Sequence, residues 1–188
     1  MKQIAIAILM LLAVTSVMSQ QPSSTTQSPS ASSATSSPVV SAVRQMEERF
    51  SKNLNGAASQ MPPDKYSYRP TPEQMTFAHL MMHVAQSNNA LCAIIAGQQP
   101  RDVKLSESDS KDVLAKAVQD SFTYCEQVLS SADDSSLAQS FTLGSQTGTR
   151  ASAILRLVAG WADHYSAAAM YLRLNNLLPP SASKSDHH

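Results

Sequence analysis

The chain has 188 residues carrying 14 basic and 14 acidic side chains, a formal net charge of zero, with neither sign gathered into a block. That balance leaves no basic footprint of the kind a nucleic-acid partner uses. Only 5 glycines are present, none in a Gly-rich run after an apolar strand-like segment, so no phosphate-cradling loop is expected.

The first 38 residues read as export and tether rather than as domain. Lys2 precedes an apolar run over 4–14, and Val17-Met18-Ser19 supplies small residues at the positions a signal peptidase reads. The run falls short of the roughly 20 apolar residues of a membrane-spanning helix. Residues 1–19 are therefore expected to be a cleaved secretory signal peptide, with a periplasmic or secreted mature protein. No cysteine stands near the cleavage site, which argues against a lipid anchor. Residues 20–38 are almost entirely Ser, Thr, Gln, Pro and Ala, too poor in apolar surface to offset the entropy of ordering, and read as a disordered low-complexity linker. One domain over 39–181 follows, then a polar tail over 182–188 whose Asp186, His187 and His188 could pick up metal adventitiously.

A first helix is predicted over 40–55, with Val43, Met46, Phe50 and Leu54 as its apolar stripe and Gly56 as its stop. The prolines of 61–70 hold an extended connection whose Tyr66 and Tyr68 can cover the end of a core. Thr71-Pro72-Glu73-Gln74 has the pattern of an N-cap, a first-turn proline and a capping box. The second helix then runs to about Ala96 on an apolar side of Phe77, Leu80, Met81, Val84, Asn88, Leu91 and Ile95, and Gly97 with Pro100 breaks it. A third helix is predicted over 108–131 and a loop over 133–147. In the fourth helix Ile154, Leu157, Val158, Trp161, Tyr165, Ala168 and Leu172 recur at three- and four-residue steps on one face. Asn175 and Asn176 close that helix, and Pro179-Pro180 prevents it from resuming. No segment shows sustained two-residue alternation, so the fold class is all-α, a four-helix bundle.

The two cysteines, Cys92 and Cys125, would meet an oxidising compartment if the domain is exported. Antiparallel second and third helices would leave them about 20 Å apart along the axis, beyond a disulfide's reach. A crossover making those helices parallel would bring them level, and of the two arrangements the one with a Cys92–Cys125 bridge is expected.

Histidines stand out among the core-facing positions. His164 lies inside the fourth helix's stripe, His83 at the border of the second helix's apolar side, and His79 one turn before it on the same flank. Imidazoles from facing helices are a common way for a bundle to hold a divalent ion with open positions left for water. The competing reading of each is a hydrogen-bonded packing residue. Trp161, Tyr165 and Tyr171 are read as core rather than as a ligand cage, and Asp163 and Arg173 as solvated, with Asp163 placed to orient His164.

The runs YSYRPTPEQMTFAHLMMHVA (66–85) and HYSAAAMYLRLNNLLPPS (164–181) resemble the DinB-like (DinB/YfiT) family of metalloenzymes across nearly the whole domain. The resemblance implies a four-helix bundle with an unusual chain order and a divalent ion, nickel or zinc, held by three histidines. One comes from the second helix and two from an H-x-x-x-H pair on the fourth. It also implies thiol transfer or related hydrolase-type chemistry on a small-molecule substrate, a thiol being the candidate class. His83 matches the second-helix ligand and His164 the second histidine of the pair. The first histidine of the pair is replaced by Gly160, and the family's glycine after the His-Tyr step by Ser166. His79 is the candidate that compensates for Gly160. The metal set is therefore His83, His164 and His79. No Glu or Asp falls on the inner stripe of the second or fourth helix, so no catalytic base is assigned. The alternative is a metal-free, degenerate bundle serving as a binding or structural module. A homodimer is the candidate assembly, with no membrane span left after signal cleavage.

Overall fold

The computed structural model describes residues 37–182. The expected signal peptide, nearly all of the linker, and the tail with Asp186, His187 and His188 lie outside the described residues. Four helices form the fold: α1 (Pro38–Gln60), α2 (Phe77–Ala96), α3 (Lys111–Ser131) and α4 (Arg150–Leu174). Single helical turns at Pro63–Lys65 and Asp134–Ser136 and a two-stranded hairpin, β1 (Ser140–Leu143) with β2 (Gln146–Thr149), complete it. Among the described residues no helix is long and apolar enough to cross a membrane.

The direction of each helix follows from residue pairs. Asn88 lies opposite Ser121 and Cys92 opposite Cys125, so equal steps along α2 and α3 keep pace and the two helices are parallel. His83 meets His164 while Asn88 meets Trp161, so α4 runs against α2. Lys111 Nζ donates to the Ser59 carbonyl near one end of α1, and the Asp134 N–H donates to Ser37 Oγ at the other, so α1 runs against α3. α1 and α2 each pack mainly on α3 and α4, which places the first two helices diagonally across the bundle. Of the two cysteine geometries left open by the sequence, the parallel one is realised: Cys92 and Cys125 form a disulfide with Cα atoms 5.4 Å apart.

Side chains from all four helices fill the interior. Trp161 is 1% exposed and packs against Phe50 and Phe122, with ring centroids 6.3 and 5.7 Å away. Its indole N–H donates to Asn88 Oδ1 at 2.8 Å, and the Asn88 amide donates to Ser121 Oγ at 3.0 Å. A buried asparagine placed among apolar residues thus has its polar atoms met.

Several predicted boundaries move, each for a local reason. α2 begins at Phe77, and its N-cap is Thr76, whose hydroxyl accepts the His79 N–H at 3.0 Å. Thr71 to Gln74 is a separate turn, and the Phe77 and Ala78 N–H groups are met by the Tyr68 and Tyr66 carbonyls. α1 starts at Pro38 because the Asp134 carboxylate accepts the Val39 and Val40 N–H groups at 3.0 and 2.9 Å, supplying the cap that Ser37 does not. α1 passes through Gly56 without stopping. A β-carbon there would lie 2.8 Å from Pro180 Cγ, so Gly56 permits close approach of the segment after α4 rather than ending a helix. α3 starts at Lys111, with Ser110 as its N-cap. The predicted loop over 133–147 contains the hairpin's first strand and its turn, where Gly144 adopts φ +57°.

Candidate metal centre

His83 and His164 face each other across the α2–α4 interface. Their ring centroids are 4.9 Å apart and the rings stand edge to face at 83°. The position follows from the antiparallel pairing of α2 with α4, with the Asn88–Trp161 bond fixing the register one helical step deeper. The rings line a pocket of about 220 Å³ whose wall includes Ser87, Leu91, Arg156, Gly160 and Trp161. Ser87 Oγ lies 3.4 Å from His83 Nε2. Arg156, the cation of this pocket, donates through Nη1 to Gln146 Oε1 at 3.2 Å and so ties β2 to α4.

Burial pushes the pKa of His164 below its ordinary value, the neighbouring His83 pushes the same way, and Asp163 opposes both. The ring therefore stays neutral, with a free lone pair, to lower pH than a solvated imidazole. Asp163 itself is exposed.

His79 is not part of this pair. It does not line the pocket. Its Nδ1 lies 3.2 Å from Glu107 Oε2, at a half-open surface. The compensation expected of it is thus not the arrangement that the fold presents: the side chain is drawn toward the segment before α3, where a carboxylate is available. At position 160 a β-carbon would make ordinary contact with His164, 3.5 Å from Cε1. The backbone at 160 therefore lies directly beside the imidazole, and the glycine leaves a gap there.

The donors suit a divalent ion in kind and fall short in number. Two imidazole nitrogens on one ion with bonds of about 2 Å stand at most about 4 Å apart, a span that the 4.9 Å centroid separation accommodates. Among the described residues, however, no three His, Cys, Asp or Glu side chains are placed to hold a metal together. Sequence reasoning found both histidines but missed Ser87 and Arg156. The signal was helical spacing: Ser87 follows His83 by four residues, and Arg156 precedes Gly160 by four.

Trp161 and Tyr171 are core residues, 1% and 4% exposed. The Tyr171 hydroxyl donates to the Met75 carbonyl at 2.6 Å. Tyr165 is half-buried and shares its hydroxyl with Ser181. Arg173 is exposed and donates to the Ala169 carbonyl of its own helix.

The chain is thus an up-down-down-up four-helix bundle in which two imidazoles face each other between the second and fourth helices. The sequence model of the DinB superfamily matches residues 47–166, and the chain belongs to that superfamily. Three crystal structures show the shared fold. A DinB-like protein from Bacillus subtilis is 19% identical, with a TM-score of 0.58 over 70% of this chain and 92% of the other. A DinB-like protein from Bacillus cereus is 13% identical, with a TM-score of 0.60 over 74% and 95%. A DinB family member from Shewanella denitrificans is 15% identical, with a TM-score of 0.56 over 78% and 90%. No curated protein matches the sequence.

Proposed function

We propose that this DinB-superfamily bundle is an exported, divalent-metal-dependent enzyme whose ion, nickel or zinc, is held by His83 and His164. The observation that carries the reading is the convergence of these two imidazoles from facing helices, at 4.9 Å, on a small pocket open to solvent. Bound there, the ion would acidify a coordinated water or thiol. The chain's own residues do the rest. Burial keeps the His164 lone pair available, Arg156 gives the pocket a cation for an anionic part of a substrate, and Leu91, Leu157 and Trp161 form its apolar wall. With two imidazoles and no third donor beside them among the described residues, two or more coordination positions would belong to water and substrate, so weak resting affinity is expected. A small thiol is the substrate class this reading favours.

A second reading is a metal-free binding or structural bundle. Gly160 and the engagement of His79 by Glu107 favour it. Titration of Ni²⁺ and Zn²⁺ into the mature chain, with His187 and His188 replaced by Ala, separates the two. The metal reading expects stoichiometric binding in the micromolar range that His83→Ala and His164→Ala each abolish and His79→Ala leaves intact. Binding no tighter than about 1 mM, or indifferent to both substitutions, would leave the metal-free reading standing.

A further inference from the structure

A second cavity, of about 830 Å³, opens where the C-terminal halves of α2 and α3 meet the start of α4. It is distinct from the histidine pocket, sharing no lining residue with it. Two guanidinium groups line it. Arg101 lies over the Tyr124 ring, Cζ 5.2 Å from the centroid. The Tyr124 hydroxyl donates to Gln98 Oε1 at 3.2 Å, which fixes the aromatic platform to the segment that follows α2. Arg150, the first residue of α4, lies against Gly97. That glycine has φ +72°, and a β-carbon on it would collide with the guanidinium. The contacts from Arg101 through Tyr124 and Gln98 to Gly97 and Arg150 thus run along one wall.

The charges in this cavity are unevenly satisfied. Asp120 accepts Lys116 Nζ at 2.8 Å on both oxygens. Asp133 is occupied by Ser135 and Ser136, and these bonds hold its carboxyl below the usual range. Neither carboxylate pairs with an arginine. Among the described residues, the ion pairs are Lys65 with Asp64, His79 with Glu107, and Lys116 with Asp120. No hydrogen bond from either guanidinium of this cavity is found among the described residues. Ile95, Ala96, Val128 and Ala132 supply an apolar lining beside them. Two guanidiniums bordering one cavity without an ion pair among the described residues favour an anion there, and a planar fork binds a carboxylate through two parallel bonds. The apolar lining and the half-buried Tyr124 ring beside it favour a ring on that anion.

We infer that the cleft framed by Arg101, Tyr124 and Arg150 is a binding site for a small organic anion of the aryl carboxylate class. Benzoate is the probe, and benzamide, of the same shape but neutral, is its control. Amide resonances of the uniformly labelled mature chain are followed as each is added. Benzoate is expected to give saturable shifts at residues of the 95–101, 120–132 and 150 region, with benzamide at least about tenfold weaker, the ratio that a single well-placed charged contact of about 1.4 kcal/mol produces. Arg101→Gln and Arg150→Gln should each weaken benzoate by about fivefold or more and leave benzamide unchanged, while Arg44→Gln, in a different cleft, changes nothing. Equal binding of both probes, shifts that never saturate, or benzoate binding untouched by Arg101→Gln would overturn the assignment. Arg101 is exposed, so its replacement decides the matter even if the Arg150 variant does not fold. His83→Ala should leave benzoate binding intact, which separates this site from the proposed metal centre.

Discussion

The carboxylate of Glu47 stands 7% exposed where α1 meets α3. Glu48 and Glu126 lie near it, and Arg44 and Lys52 line the same cleft without forming an ion pair to it among the described residues. Burial, then repulsion from Glu126 and Glu48, raises its pKa from 4.5 to about 7. A carboxyl raised in this way keeps its proton in the folded chain at pH values where the unfolded chain has released it. Stability contributed by this site is therefore present at acid pH, declines as pH rises from about 4.5 through about 7, and stays reduced above. Glu47→Gln removes the titration while keeping the shape. At pH 8 it should stabilise the fold by about 2 kcal/mol, roughly 4–8 °C in Tm, and at pH 4 it should change Tm hardly at all. Thermal melts at the two pH values measure this, and an equal effect at both would mean that the carboxylate is solvated in the fold. Asn88 shows why single polar residues were hard to read in sequence. It sat at an apolar position of its helix, and its three-dimensional role, taking the Trp161 indole N–H and giving to Ser121, depends on residues 33 and 73 positions away.

At the scale of elements, apolar periodicity made the four helices legible, and their ends were legible only where the cap was local. Gly97 and the Asn175–Asn176 stop were found because the left-handed residue sits in the chain itself. The start of α1 was missed because its cap is Asp134, and the passage through Gly56 because its partner is Pro180. The hairpin was missed because four residues per strand give alternation too short to stand out. Helix direction was the quantity on which the disulfide depended, and nothing in a helical stripe encodes it. With α2 and α3 parallel, the Cys92–Cys125 bridge closes a sequence separation of 33 residues. A loop of that size restricts the unfolded chain by about 3–4 kcal/mol. Cys92→Ala with Cys125→Ala should therefore lower unfolding stability by about that amount, less any residual structure in the unfolded chain, with the helical circular dichroism of the folded state unchanged. Denaturant titration of oxidised, reduced and doubly substituted protein measures it, and agreement of all three midpoints would show that the bridge does not hold the bundle together.

Taken as a whole, the molecule separates a core that specifies the bundle from a seam that carries the candidate chemistry. Trp161, Asn88 and the disulfide lie in the interior, whereas His83 is exposed and Gly160 only half-buried. Changes at the seam should leave the fold intact, and that makes a gain-of-ligand test informative. Gly160→His places a third imidazole one turn before His164, at a backbone position whose β-carbon has ordinary room beside that ring. Replacing a mid-helix glycine should itself stabilise α4 by about 0.5–1 kcal/mol, so Gly160→Ala is the control for helix propensity. Because an ion that binds only the folded chain stabilises it by RT ln(1 + [L]/Kd), Ni²⁺ at 100 times Kd adds about 2.7 kcal/mol. The expected result is that 100 μM Ni²⁺ raises the Tm of the Gly160→His chain by several degrees beyond its effect on the Gly160→Ala chain, and that His83→Ala abolishes the difference. If Ni²⁺ moves the two variants equally, the rings at 83 and 164 are not poised to share an ion even when a third donor is supplied, and the seam is better regarded as packing. A large difference would instead mean that the geometry for metal binding persists in the fold and that the native chain limits its affinity by a single residue.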